Sequence, residues 1–259
     1  MRTIATAALL LICAQAASAD SAIDALVAAY PDHLAGVQGN ELIWKDGTRM
    51  PISEGRADKP FEELLENPDL KDQFAIPYPL GGELKAPGPN EDPGRIRNEA
   101  FFRKMYGDCR KGEVEKRLKL VDWLKDKGGA TLKATGVNQV DARLQAVARD
   151  LRGLPPALMQ FLVPSAGTYN CRPVAGTKRL SVHAFGAAID LSTKFGDYWL
   201  WSGGDKSKLT WKNRIPLEIV EIFERHGFIW GGKWYHFDTF HFEYRPEIIA
   251  LAKQGWPRK

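Results

Sequence analysis

Two groups of His and Asp side chains, far apart along the chain, most constrain how this sequence can fold. The first lies in the stretch S-V-H-A-F-G-A-A-I-D, which contains His183 and Asp190. The second contains Asp238 and His241. A lone histidine in an apolar run is usually a hydrogen-bonded core residue. Here two imidazoles and the Asp190 carboxylate together suit a catalytic zinc ion with one open coordination position, so the fold is expected to bring them together.

The second group lies among aromatic residues, in the stretch W-Y-H-F-D-T-F-H-F-E that ends at Glu243. Asp238 precedes His241 by three residues, which lets its carboxylate face a water molecule while the imidazole binds a metal. Other interpretations stay open. Asp238 would also serve as a turn cap, Glu243 as a partner of His241 or as the base itself, and His236 as a rival ligand.

The composition excludes some classes of function. The chain has 259 residues, of which 44% are hydrophobic and 26% charged, as in an ordinary soluble globular protein. Its net charge is +4 and its isoelectric point about 8.9. Because it lacks dense runs of Lys and Arg, we expect no nucleic-acid partner.

The N-terminus has the features of a secretory signal. Arg2 precedes an apolar segment at 5–14 that is too short to span a bilayer, and Ala17-Ser18-Ala19 has the form of a cleavage site. We predict a signal peptide at 1–19, export to the periplasm or beyond, and no stable membrane insertion after its removal. The alternative is a buried N-terminal helix.

Removal of the signal leaves two cysteines, Cys109 and Cys171. In an exported chain, two cysteines most simply form one disulfide. This bridge would hold the backbone directly beside Arg172.

The hydrophobic periodicity predicts an α+β fold, with a small central antiparallel sheet flanked by helices and an irregular N-terminal extension. The segment at 78–94 is rich in Pro and Gly, so we place a boundary there, between an extension of unknown role at 20–94 and a catalytic domain at 95–259. A bend is expected at Gly186. The predicted strands are 42–44 paired with 50–52, 117–123 paired with 131–135, and 240–244. The predicted helices are 21–29, 96–106, 138–151, 155–162, 217–226 and 246–254, and Asn138 is expected to cap the helix that begins there.

The motifs S-x-H-x-x-G-x-A-x-D and D-x-x-H-F-E, in this order, resemble the D-alanyl-D-alanine carboxypeptidase and L-alanyl-D-glutamate endopeptidase family of zinc peptidases. The resemblance covers roughly 136–250, including the stretch G-T-Y-N-C-R that ends at Arg172. It implies one zinc ion and assigns Asp238 as the general base. It assigns Arg172 as the cation that stabilises the oxyanion, with Arg179 as the alternative because it is also close in the sequence. The zinc ligands that the resemblance implies are His183, Asp190 and His241. The substrate-binding residues that it implies are Ser181 and Tyr169.

The resemblance implies hydrolysis of peptide bonds that involve D-amino acids in peptidoglycan stem peptides. It leaves open whether a terminal D-alanine is removed or the stem is cut internally. The alternative function is a non-catalytic, zinc-containing protein that binds cell wall or peptide. A purely structural zinc site needs no acid beside an open coordination position, so Asp238 favours the enzyme.

Overall fold

The computed structural model describes residues 17–82, 84–206 and 208–256, with side chains from residue 21 onward. It confirms the α+β class: short helices surround three small antiparallel sheets. Residues 1–16, most of the predicted signal peptide, lie outside the described ranges. No helix among the described residues is long and apolar enough to cross a membrane. The α-helices are α1 Ala17–Ala29, α2 Phe61–Glu66, α3 Glu99–Tyr106, α4 Val140–Leu151, α5 Met159–Leu162, α6 Leu217–Arg225 and α7 Pro246–Gln254.

The first sheet lies in the N-terminal region and has the order β1-β2-β3, formed by Leu34–Gln38, Glu41–Trp44 and Arg49–Pro51. The predicted strand pair β2 and β3 is confirmed, and the Asp46 carboxylate accepts a hydrogen bond from the Thr48 backbone in the connecting turn. Strand β1 was not predicted. Only Leu34 of this strand is buried, so its sequence has no regular alternation that would indicate a strand.

The N-terminal region packs against the rest of the chain. Helix α1 lies against α7, and the Tyr30 hydroxyl donates a 2.6 Å hydrogen bond to Glu247. Likewise, Tyr78 donates a 2.7 Å hydrogen bond to Glu224 of α6. Buried apolar residues from α1 to α7 form a continuous hydrophobic core. The domain boundary at 94 stays a prediction, but the residues before it share their core with those after it.

The second sheet pairs β4 Leu118–Trp123 with β5 Ala130–Thr135, as predicted, and α4 packs on it. Helix α4 begins at Val140, and the prediction that Asn138 caps it is wrong. Asn138 and Gln139 both have positive φ angles, of 55° and 59°, so Gln139 occupies the cap position without a side-chain hydrogen bond. Asn98, by contrast, caps α3 by accepting a hydrogen bond from the Phe101 backbone.

The third sheet has the order β6-β8-β7, formed by Ala188–Asp190, His241–Tyr244 and Phe228–Trp230. Its antiparallel register places Asp190 opposite His241. A short 3-10 helix at Val182–Phe185 precedes β6 and ends at Gly186, whose φ of 67° confirms the predicted bend. The central β8 strand is buried along its whole length, so the site is built on a rigid part of the fold.

Gly186 provides a test of this local geometry. An added Cβ would lie 2.8 Å from the Leu118 side chain and 3.0 Å from the Thr135 backbone nitrogen, in addition to the cost of the positive φ angle. Gly176 is a matched control, because its φ is 77° and an added Cβ meets nothing within 4 Å. We expect Gly186→Ala to lower the free energy of unfolding by about 1–3 kcal/mol more than Gly176→Ala, measured by urea denaturation. Equal losses would show that the close approach at Gly186 is unimportant.

Candidate metal centre and active site

Three predicted ligand atoms converge to within about 3 Å of one another. The Asp190 Oδ1 atom lies 3.1 Å from His183 Nε2 and 2.9 Å from His241 Nδ1. The two imidazole nitrogens are 3.1 Å apart. His183 comes from the 3-10 helix, and the sheet register brings Asp190 and His241 together. These three side chains form the group that fits a metal ion among the described residues.

The other ring nitrogen of each histidine already has a partner. His183 Nδ1 donates to the Thr168 carbonyl at 2.5 Å, and His241 Nε2 donates to Glu243 at 3.3 Å. The ring nitrogens available to bind a metal are therefore His183 Nε2 and His241 Nδ1, which both face Asp190. Zinc–nitrogen distances of about 2.0–2.1 Å separate tetrahedral ligands by roughly 3.3 Å, close to the spacing found here. The residues present thus fit a divalent metal ion.

Glu243 lies next to this group and is fully buried. Burial by itself raises the pKa of Glu243, but the Arg97 charge and the hydrogen bond from His241 outweigh it and lower the pKa to about 2. Arg245 donates a further hydrogen bond to the carboxylate at 3.3 Å. The Glu243 carboxylate is thus ionised and held by several donors. This arrangement suits a partner that orients His241 better than a base that must reach a substrate.

Asp238 is partly exposed, but its Oδ1 atom is buried and has no hydrogen-bond partner in the described part of the chain. Burial raises the pKa of Asp238 to about 7, and the neighbouring Asp190 carboxylate contributes to the rise. A cation bound between His183, Asp190 and His241 would lower this pKa, because it favours the ionised carboxylate. Asp238 is therefore placed to accept a proton close to the metal position.

A cavity of about 250 Å³ gives access to these residues, and both Ser181 and Arg172 line it. Ser181 also caps the 3-10 helix by accepting a hydrogen bond from the His183 backbone. Arg179 does not line this cavity and instead forms a 2.9 Å ion pair with Glu66. Of the two arginines considered from the sequence, Arg172 is thus the one beside the metal position.

Tyr169 and His236 occupy other positions. The Tyr169 hydroxyl donates to Glu115, and Tyr169 is not among the residues lining the cavity. Its role in substrate binding stays a prediction. His236 lines the cavity but lies outside the group of metal-binding atoms, and its Nδ1 is 2.6 Å from the buried Asp92 carboxylate. His236 is therefore not positioned to bind a metal ion together with His183, Asp190 and His241.

The sequence did not identify Arg95 and Arg97 as site residues. Both line the cavity, and Arg97 forms a 3.4 Å ion pair with Glu243. Arg95 forms a 3.0 Å ion pair with Asp92. They follow directly after the Pro- and Gly-rich segment, where no motif marks them. Only the path of that segment across the site brings them to the cavity.

The predicted disulfide between Cys109 and Cys171 is confirmed, with the two Cα atoms 5.8 Å apart. Cys109 is buried after helix α3, whereas Cys171 is exposed. The bridge thus fixes the chain beside Arg172 to the first part of the 95–259 region.

Residues 175–244 match the family model of D-alanyl-D-alanine carboxypeptidases. This match confirms the resemblance inferred from the motifs and supports a peptidase. The matched segment contains His183, Asp190, Asp238 and His241, whereas Arg172 precedes it. No curated protein and no solved structure matches the chain.

Metal binding is expected to release protons. Burial lowers the pKa of His241, but hydrogen bonds with Asp190 and Glu243 outweigh it and raise the pKa of the metal-free residue to about 10. At pH 7 the metal must therefore displace the Nδ1 proton, so affinity should rise about tenfold per pH unit between pH 7 and 9. Calorimetric titration with zinc in buffers of different ionisation enthalpy should show at least one proton released. Binding without proton release would contradict this assignment of the His241 nitrogen.

Proposed function

We propose that this protein is an exported zinc peptidase that hydrolyses peptide bonds involving D-amino acids in peptidoglycan stem peptides. The observation that carries the proposal is the buried Asp238 Oδ1 atom, which has no hydrogen-bond partner among the described residues and lies in the same cavity as His183, Asp190 and His241. The match of this segment to the carboxypeptidase family supports the substrate class. The sequence at 1–19 supports export.

In the proposed reaction, His183, Asp190 and His241 hold the metal. A zinc ion in this position supplies a Lewis acid that polarises the scissile carbonyl and lowers the pKa of an attacking water. Asp238 accepts the proton from the water, and the same carboxyl group then donates it to the leaving amine. The position of Asp238 suits both steps, because its carboxyl group lines the same cavity as the three metal-binding side chains and is accessible to a water molecule there.

Arg172 is proposed to stabilise the negative charge that develops on the carbonyl oxygen. It lines the same cavity as Asp238, and the neighbouring disulfide restricts the movement of its backbone. A donor that is already in position costs little reorganisation when the oxyanion forms. Ser181, which is buried at the cavity wall, is proposed to contact the substrate.

The alternative is a non-catalytic protein that retains zinc and binds cell-wall peptides. The donor atoms of the metal group serve both functions equally well. Asp238 favours the enzyme, because its buried Oδ1 atom has no hydrogen-bond partner among the described residues, and a purely structural site has no reason to keep a polar atom in this costly state.

Substitution of Asp238 tests the proposed base. We expect Asp238→Ala to lower kcat by about 10²–10⁴-fold on defined stem peptides, because proton transfer loses its acceptor. Zinc content should stay at the parental level, because Asp238 is not among the metal-binding atoms. Product masses identify the bond that is cut, and a chelator should abolish cleavage by the parental protein. A zinc-loaded parental protein that binds these peptides without cutting them would favour the non-catalytic alternative.

Substitution of Arg172 tests the oxyanion role. We expect Arg172→Ala to lower kcat about 10²- to 10³-fold with a smaller change in KM, because the contact forms mainly in the transition state. Arg110→Ala is a matched control, since Arg110 is an exposed arginine beside the other cysteine of the disulfide and does not line the cavity. A loss confined to KM, or an equal loss in both variants, would argue against this role.

A further inference from the structure

A second cavity, of about 440 Å³, adjoins the cavity at the metal position. Four residues line both spaces: Arg95, Ala175, Trp199 and His236. The second space lies within the size range of ligand pockets and exceeds what the atoms of the reacting bond require. A substrate bound at the metal position therefore has room to extend into it.

Helix α2 forms one wall of this second cavity, although it belongs to the N-terminal region and precedes the segment matched by the family model. Phe61 stacks on His236 with ring centroids 6.0 Å apart, and Glu66 pairs with Arg179 at 2.9 Å. These contacts attach the helix to the active site. The loop at 175–177 and the pair Trp199 and Leu200 also line the cavity.

The lining of this cavity combines apolar surface with one uncompensated negative charge. Phe61, Leu65 and Trp199 provide the apolar contacts, and Leu200 is 39% exposed. Each arginine in the lining is already paired, Arg95 with Asp92 and Arg179 with Glu66.

Glu62, by contrast, is exposed and has no ion-pair or hydrogen-bond partner among the described residues. An aliphatic chain that ends in an ammonium group complements both features, since its methylenes contact the apolar wall and its charge faces the carboxylate.

We infer that this second cavity is a substrate subsite that binds a peptide side chain with an aliphatic stem and a terminal ammonium group. The inference rests on the proposed function for the identity of the substrate as a stem peptide. It gives the N-terminal region a role in the site, because Glu62 and Leu65 of α2 select a substrate side chain close to the scissile bond.

Two peptides test the subsite: a pentapeptide ending in lysyl-D-alanyl-D-alanine, and the same peptide with Nε-acetyl-lysine. Binding is measured by calorimetry to the zinc-loaded full chain carrying Asp238→Asn, which prevents turnover. We expect the free amine to bind about three- to fivefold more tightly, the range for one exposed ion pair. Adding Glu62→Gln should remove the difference, whereas Leu65→Ser should weaken the binding of both peptides.

Glu63→Gln is the matched control, because Glu63 lies on the same helix, pairs with Arg56 and does not line the cavity. It should retain the preference for the free amine. No preference in the Asp238→Asn protein, or an undiminished preference after Glu62→Gln, overturns the inference. Cleavage of both peptides by the parental protein at equal efficiency and with equal affinity would leave the proposed function intact. Selective binding without cleavage would instead retain the subsite and remove the peptidase function.

Discussion

The pairing of β6 with β8 is the constraint on which the rest of the site depends. Its register sets Asp190 opposite His241, and both strands lie in a sheet whose central strand is buried. A shift by one residue would turn these side chains to opposite faces and separate the ligand atoms. The bend at Gly186 is the second requirement, because it returns the chain so that His183 Nε2 lies 3.1 Å from Asp190. A strand pair and a turn thus build the metal position from residues distant in sequence.

Buried charges extend this organisation from the metal position to the N-terminal region. Glu243 accepts hydrogen bonds from His241 and Arg245, and Arg245 Nε donates a 2.6 Å hydrogen bond to Glu247. Glu247 in turn accepts a hydrogen bond from Tyr30, at the end of α1. Because an unpaired charge at any of these buried positions is costly, the members of this chain depend on one another. Packing of the N-terminal region is therefore linked to the orientation of a candidate metal ligand.

Much of the local structure was predictable. The strand pair at β2 and β3, the helix ending in Gln254 and the bend at Gly186 follow from turn residues and hydrophobic spacing, which act between neighbours in sequence. The cap of α4 was predicted wrongly, because Asn138 takes a left-handed conformation that shifts the helix start to Val140. Strand β1 was missed because it is mostly exposed and lacks an alternating pattern.

The sequence by itself determined the chemistry of the candidate site. It contains His183, Asp190, Asp238 and His241 in two motifs, and the spacing within each motif is local. Only the tertiary structure decided which groups face the cavity. In the folded chain Arg179 pairs with Glu66, and the Tyr169 hydroxyl donates a hydrogen bond to Glu115. Arg95, by contrast, lines the cavity. The physical reason is that such positions depend on packing between distant segments, and an arginine in an irregular segment carries no periodic signal of where its charge will lie.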